Sequence, residues 1–264
     1  MSEVFESNKD LWDKWTPAHA KSEIYDVESF KKGACSLQPP ELKYLGDVKG
    51  KTMLHLQCHF GMDTLSWARR GAIVTGADIS TESIKLAKKL SKEIKVSAKF
   101  IESNVYDLPN KLKDKFDIVF CSYGVVNWLP DMNEWAKVIN HFLKPGGTFY
   151  MIDFHPILKC FDESIGDYKI VHPYFHNPEP QKVLLFKSYA EKTTKGAVAH
   201  VFQHHLSEIF TALLDQGLLL SEFEEFDHSI RKLPNTKRVS KFHWVFEDER
   251  KIPFMYSVKF KKPE

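Results

Sequence analysis

The run Met53-Leu54-His55-Leu56-Gln57-Cys58-His59-Phe60-Gly61-Met62-Asp63-Thr64-Leu65 is apolar up to Leu56, breaks at a turn and re-enters a helical pattern. About one helix later, Ile73-Val74-Thr75-Gly76-Ala77 leads into Asp78. A strand that turns tightly into a helix leaves backbone N–H groups unpaired at the carboxyl edge of a parallel sheet, where nucleotide-like ligands bind. Asp78, at the tip of the second strand, stands where one carboxylate can accept both hydroxyls of a ribose. The same Asp78, or Ser80 beside it, also suits the amino-terminal cap of a helix beginning at Thr81. A second concentration of reactive side chains follows Asp153: His155, then His172, His176, His200, His204 and His205. Imidazole is the natural base near neutral pH, and His155 is the first choice for one, although each of these residues also fits a satisfied or solvated histidine. His204, His205 and Glu208 share a helical spacing, with His200 upstream, but no His-Glu-x-x-His pattern accompanies them. The expectation is therefore no metal site.

These residues need a frame. Strands are expected at Thr52 to Leu56, Ile73 to Ala77, Ala98 to Ile101, Phe116 to Cys121 and Thr148 to Asp153. Helices near Asp63 to Arg70, Thr81 to Glu93 and Met132 to Leu143 lie between them, with Ile84, Ala87 and Leu90 spaced for one buried face. Such alternation predicts a parallel, doubly wound sheet with right-handed crossovers. The first forty residues are helical and aromatic (Trp12, Trp15, Tyr25, Phe30) and are expected to end at Pro39-Pro40. They suit either a lid over the site or, for Trp12 above all, a helix docked on the sheet. After Asp153 the regularity fails. Residues 155–203 read as an inserted cap, in which Val183 to Phe186 and Ala197 to Phe202, separated by Thr193-Thr194-Lys195-Gly196, form a β-ribbon. A helix from Leu206, capped by Gly217, and strands at Leu218 to Phe226 and Phe254 to Phe260 close the pattern.

Composition narrows the partners. The 264 residues are 43% hydrophobic and 27% charged, ordinary for a soluble globular chain. The 37 basic and 35 acidic residues are well mixed, for a net charge of +2. Neither nucleic acid nor an anionic membrane is implied, and a small-molecule partner is. Cys35, Cys58, Cys121 and Cys160 have no metal-knuckle spacing and read as reduced thiols. No signal-peptide pattern opens the sequence and no stretch approaches about 20 apolar residues, so a cytoplasmic location is expected. The residues are silent on oligomeric state.

In order, the strand–turn–helix at 53–65, the carboxylate at Asp78, the segment Glu102 to Pro109, the strand Phe116 to Ser122 and the turn Leu143-Lys144-Pro145-Gly146-Gly147-Thr148 resemble the class I S-adenosylmethionine (SAM) dependent methyltransferases. The resemblance spans roughly Leu42 to Asp153. It is closest to a subset with a His-Leu-Gln-Cys-His-Phe-Gly turn followed by an Asp-Thr pair. In the family's usual D-x-G-x-G-x-G pattern an acidic residue and three glycines form this turn; here His55 takes the acidic position, Gln57 and His59 replace two glycines, and Gly61 remains. The resemblance implies a mostly parallel seven-stranded sheet with helices on both faces, an antiparallel last strand and an inserted β-rich cap, with the methyltransferase domain over 41–264 and a helical lid over 1–40. It implies SAM as cofactor and S-adenosylhomocysteine as product. By that resemblance the turn residues His55, Gln57, Cys58, His59, Phe60, Gly61, Asp63 and Thr64 surround the methionine part. Asp78, with Ile79 and Ser80, meets the ribose and adenine. Asn104, which takes the usual Asp position, reads adenine with Val105 and Tyr106, although a plain turn suits Asn104 as well. Ser122 and Tyr123 border the methyl group, and Tyr123, Val126 and Trp128 turn aromatic and apolar surface to the sulfonium. Trp128 and Trp135 also suit the core. The small-molecule acceptor is expected against Trp15, Tyr25, Trp128, His172 and His204, with His155 and Tyr123 as catalytic candidates. Two other readings compete, a SAM-binding module without transfer activity and an NAD-dependent oxidoreductase; against the second, 57–62 lacks a G-x-G-x-x-G turn.

Overall fold

The computed structural model describes residues 2–161, 168–176, 178–185, 188, 190, 197–248 and 252–264. Five strands, β1 (Thr52–Leu56), β2 (Ile73–Asp78), β3 (Lys99–Glu102), β4 (Phe116–Ser122) and β5 (Leu143–Phe154), run parallel. Two later strands, β8 (Leu219–Phe226) and β11 (Met255–Lys261), complete a seven-stranded sheet in the order β3-β2-β1-β4-β5-β11-β8. Strand β11 is antiparallel to both of its neighbours. The chain reverses direction across the sheet between β1 and β4, which opens a crevice at the carboxyl ends of the strands, the ligand site of open α/β sheets.

The central strands carry apolar side chains on both faces because helices cover both. On one side Trp135, Phe142 and Phe149 pack with Leu213; on the other Trp67, Phe120 and Tyr150 pack with Phe254. Trp135 is fully buried, which settles it as core. Capping fixes where the covering helices begin. Ser80 caps α5 (Thr81–Glu93) by accepting Ser83 N at 3.0 Å, and Asp131 caps α7 (Met132–Phe142) by accepting Glu134 N at 3.0 Å. Helices α4 (Met62–Arg69), α6 (Leu108–Lys111) and α8 (Leu206–Leu214) fill the remaining crossovers.

Three local expectations are corrected. The Pro39-Pro40 pair begins a helix, α3 (Pro39–Leu45), because a first-turn proline gives up no helical hydrogen bond. The Lys-Pro-Gly-Gly segment lies inside β5: Leu143 already pairs with Phe116, and the ladder resumes at Thr148 opposite Ile118 after an irregularity. The stretch after β8 holds an unforeseen hairpin, β9 (Thr236–Ser240) and β10 (His243–Phe246). The inserted ribbon forms as β6 (Gln181–Leu185) antiparallel to β7 (Ala197–Val201). Phe186 and the turn Thr193-Thr194-Lys195-Gly196 lie outside the described residues.

Helix α1 (Ser2–His19) lies across β7 and α5, while α2 (Val27–Lys31) follows it beside the first turn. Asn8 holds the ribbon as another strand would: Asn8 Nδ2 donates to His200 O at 2.9 Å and His200 N donates to Asn8 Oδ1 at 2.8 Å. At its other side, Asp13 accepts Ser80 Oγ at 2.6 Å and Glu82 N at 3.0 Å, so α1 is anchored on the first turn of α5.

Candidate functional site

The turn between β1 and α4 places residues with side chains in a conformation that favours glycine. Gln57 (φ 55°), His59 (φ 49°) and Gly61 (φ 78°) are all left-handed, at the alternate positions where the family pattern has its glycines. Left-handed backbone costs a residue with a Cβ roughly 1–2 kcal/mol. The surroundings repay it locally: Cys58 N donates to Ala77 O at 3.0 Å, His59 N to Asp78 Oδ2 at 2.7 Å, and Gln57 Nε2 to Val125 O at 3.2 Å. At position 61 glycine is obligatory, because a Cβ would also stand 2.7 Å from the Phe100 ring.

Behind this turn a polar chain orders its own protons. Ser122 Oγ donates to Asp63 Oδ2 at 2.9 Å, so it accepts from His55 Nε2 at 3.3 Å, and His55 Nδ1 then accepts from Thr64 Oγ1 at 2.8 Å. Burial holds His55 neutral, pushing its pKa down to about 3. Burial also raises the Asp63 carboxyl, which the Ser36 and Ser122 hydroxyls pull back. A second carboxyl, Glu41, lies close by and is fully buried; burial first, then the charge of Asp63, pushes it up to about 8. A parallel chain fixes the outer side of the turn. Thr16 Oγ1 donates to Trp12 O, so Ser83 donates to Thr16, His59 Nδ1 donates to Ser83 Oγ at 3.0 Å, and His59 Nε2 accepts from His19 Nδ1 at 3.1 Å. Both imidazoles are held neutral by burial, His19 down to about 4.

Asp78 stands at the end of β2 with one oxygen on His59 N and the other on Ser80 N at 2.8 Å. A carboxylate offers about four acceptor positions, so these bonds leave it able to accept from a ligand. Burial pushes its pKa up to about 6, with those two N–H groups opposing. Beyond β4, Tyr123 (φ 46°) and Gly124 (φ 80°) form a left-handed turn gathered by Asp153. That buried carboxylate accepts the N–H of Gly124, of Val125 at 3.0 Å, of Val126 at 3.2 Å and of Phe154 at 2.7 Å. Burial pushes the Tyr123 hydroxyl well up from its ordinary range.

These elements enclose a cavity of about 530 Å³. Its wall includes His55, Gln57, Cys58, His59, Phe60 and Gly61 from the turn, and Asp63 behind it. Asp78 and Ile79, Asn104 and Val105, and Ser122 and Tyr123 line the next strand ends. Trp15, Tyr25 and Trp128 close it from the lid side, where Trp12 meets His59 at 5.1 Å and Trp128 at 5.3 Å between ring centroids. The remaining candidates stand elsewhere. Thr64 is behind the turn, Ser80 caps α5, and the Tyr106 hydroxyl donates to Asp131 O at 2.9 Å. His155 is buried off the wall as the cap of a short 3₁₀ turn: its Nδ1 accepts Ile157 N at 3.1 Å and its Nε2 lies 3.0 Å from Glu225 Oε1. His172 is exposed, and His204 is buried at the start of α8.

Sequence reasoning did not reach Glu41, Asp153, Asn8, or the Arg231, Lys241 and Phe242 that close the rim from the β8–β11 connection. Glu41 had a signal, since Gln38 N donates to Glu41 Oε2 at 3.1 Å in the x-x-Glu spacing of a capping box. The rim residues had none, because only tertiary folding brings 231–242 to the turn at 57–61.

The geometry fits the methionine, ribose and adenine parts of SAM: a left-handed turn, a buried carboxylate with spare acceptor positions, and an apolar slot beyond it. A family described as "Methyltransferase domain" matches residues 54–151. The ubiquinone biosynthesis O-methyltransferase of Serratia proteamaculans (strain 568) is 29% identical over 133 residues, 49% of this chain and 55% of that protein. That of Shewanella sp. (strain ANA-3) is 28% identical over 145 residues, 53% of this chain and 61% of the relative. The chain thus spans little more than half the length of these curated relatives. Among solved structures, an S-adenosylmethionine-dependent methyltransferase from Mesorhizobium loti superposes with a TM-score of 0.56 at 18% identity, over 88% of this chain and 100% of its own. One from Clostridium acetobutylicum gives 0.57 at 13% identity, over 97% of each chain. At those identities the likeness establishes the fold.

Proposed function

We propose that the methyltransferase domain makes this chain a class I enzyme that moves a methyl group from SAM to a small-molecule acceptor, leaving S-adenosylhomocysteine. The observation that carries the reading is the left-handed backbone at Gln57, His59 and Gly61, which retains the family's glycine conformation after two of its glycines are gone. The run from His55 to Gly61 supports the reading of the chain as one of the subset named above.

SAM supplies a methyl carbon on a positively charged sulfur. Backbone from 57 to 61 would cradle its methionine part, Asp78 would accept the ribose hydroxyls, and Ile79, Asn104 and Val105 would flank adenine. Asp63 takes over for the acidic residue absent at position 55: it enters from α4 and reaches the cavity wall through its bond to Ser122. Trp12, Trp128 and Tyr25 present aromatic faces to the same space and exclude water from it. The acceptor side is mostly apolar and aromatic, which suits an apolar acceptor; the O-methyltransferase names of the curated relatives favour oxygen as the methylated atom. Catalysis rests on alignment, which can contribute roughly 7–11 kcal/mol. His155 is assigned to holding the turn after β5, and His172 and His204 to places outside the cavity. Tyr123 stays on the cavity wall, with its hydroxyl buried toward Glu41. Residues 1–40 and the insertion at 155–203 act together as the lid, held by Asn8. Among the described residues no helix is long and apolar enough to cross a membrane, and a cytoplasmic setting is part of this proposal.

Thermal unfolding with SAM, S-adenosylhomocysteine and NAD tests the reading. A ligand at 100 times its Kd adds about 2.7 kcal/mol, a rise on the order of 5 °C for a chain of this size. A rise with both sulfur ligands and none with NAD is expected, followed by a transfer assay against apolar hydroxylated acceptors. No rise with either sulfur ligand overturns the proposal.

A further inference from the structure

Outside the cavity wall, at the amino end of α8, three side chains meet that the methyltransfer chemistry does not use. His176, His204 and Glu208 each bring one ligand atom to within 4.8 Å of the others. The His204 side chain is completely buried, and His176 and Glu208 are 23% and 26% exposed. His176 comes from the insertion, Glu208 from α8 and His204 from the residue before its cap, so the cluster joins the insertion to the sheet domain.

Backbone carbonyls fix the direction of both rings. His204 Nε2 lies 2.6 Å from Leu129 O, and His176 Nδ1 lies 2.8 Å from Gln203 O. A carbonyl only accepts, so the ring protons sit on those nitrogens, and the lone pairs are on His204 Nδ1 and His176 Nε2. His204 Nδ1 then faces Glu208 Oε2 at 3.1 Å, a lone pair against a carboxylate. Both atoms are buried and neither makes a hydrogen bond. Two acceptors in contact away from water repel unless a positive charge lies between them. The two rings stack 4.9 Å apart at 22°, and His176 Nδ1 also lies 3.6 Å from Glu208 Oε1.

We propose that His176, His204 and Glu208 bind a divalent transition-metal ion of the zinc class. Two imidazole nitrogens and one carboxylate oxygen are the donors that zinc takes, and at metal–ligand distances of about 2.0–2.2 Å neighbouring tetrahedral ligands stand about 3.3 Å apart. The 3.1 Å between His204 Nδ1 and Glu208 Oε2 matches that edge. A histidine that donates its second nitrogen to a carbonyl has the outer support metal ligands ordinarily receive. The fourth position goes to water or to His205, whose buried Nδ1 is 3.5 Å from Glu208 Oε2 and also unbonded. The ion would be a brace. It would tie the insertion at His176 to α8 and, through Leu129 on the cavity wall, to the turn that carries Trp128.

The test is calorimetric titration of tag-free, chelator-stripped protein with zinc at neutral pH, beside His176→Ala, Glu208→Gln and, as a control, His228→Gln. His228 stacks on His243 at 4.1 Å and represents histidine pairs elsewhere. One ion per chain is expected, with binding weakened about 100-fold or more in His176→Ala and Glu208→Gln and unchanged in His228→Gln. Zinc should raise the melting temperature of the stripped wild type and of the control only. No stoichiometric binding, or equal binding in His176→Ala, overturns the proposal, and a proton then bridges His204 and Glu208. His176 is partly exposed on the insertion, so its variant keeps the test valid if Glu208→Gln fails to fold.

Discussion

Asp63 lies on the cavity wall, while its neighbour Glu41 is a buried liability. Asp63 reaches the cavity and is hydrogen-bonded by Ser122; Glu41 is buried behind it, with one oxygen lacking a hydrogen bond. A charged hydrogen bond is worth about 1.5–3 kcal/mol, so Asp63→Asn is expected to weaken SAM binding by about 10-fold or more. A direct binding titration checks it, and a lowered melting temperature with unchanged SAM affinity would make Asp63 structural only. Glu41 gives the opposite sign. Its pKa is raised to about 8, so the folded state holds a proton that the unfolded chain releases near its ordinary 4.5. The stability it contributes is full below pH 4.5 and is lost as pH rises toward 8. Glu41→Gln, which keeps an oxygen for Gln38 N, should therefore leave melting at pH 5 nearly unchanged and raise stability at pH 8 to 9 by a few kcal/mol. Equal melting of the two proteins at both pH values would show that Glu41 is ionised at no cost.

Among the elements, α1 is docked on the ribbon beside the cavity. Asn8 makes both bonds of a strand pair with His200, and Ser7 Oγ adds a third to Val198 O at 2.8 Å. Asn8→Ala removes two bonds of about 1 kcal/mol each. Faster proteolysis within residues 2–19 and a severalfold higher KM for the acceptor are expected, with the melting temperature of the sheet domain little changed. If proteolysis and KM both match wild type, α1 is no part of a lid. The sheet itself was legible in the sequence because each of its strands carries its own signal: β1 and α5 begin and end where the apolar pattern and Ser80 place them. What the sequence did not disclose depends on long-range closure. Strand β9 has an exposed, basic face and no alternation to mark it, and the turn after it brings Lys241 and Phe242 to the cavity rim, where Lys241 meets Asp26 at 3.1 Å. The histidines were visible, their assignment was not. His155 has the right type at the right strand end, yet its ring caps a turn, a role decided by the rotamer that Ile157 N and Glu225 impose.

Across the whole molecule, buried imidazoles set the acid limit of the fold. His19, His55 and His59 are neutral links in ordered hydrogen-bond chains; a proton on His55 Nδ1 or His59 Nε2 opposes the donor that faces it and breaks the chain, while a proton on His19 charges a ring buried away from water. His19 and His55 are lowered to about 4 and about 3, while the unfolded chain takes up the proton near 6.5. Between those values the unfolded state binds more protons, so stability falls as the pH falls: the contribution is full above 6.5 and is lost progressively down to about 4. Lys144 and Thr52 act further down, holding the half-exposed Asp117 at about 2 against the effect of its burial, so its contribution survives until pH falls through 4 toward 2. The His19–His59 bond joins α1 to the turn at 57–61, so the two should weaken together. The imidazoles are expected to lower the melting temperature from pH 6.5 to 4.5, against the opposite contribution of Glu41, with SAM affinity falling over the same interval. His19→Gln should flatten the upper part of that slope, because an amide does not titrate and its N–H can still donate to His59 Nε2. A slope identical in His19→Gln and wild type would place the acid sensitivity elsewhere, with His55 behind the turn as the next group to substitute.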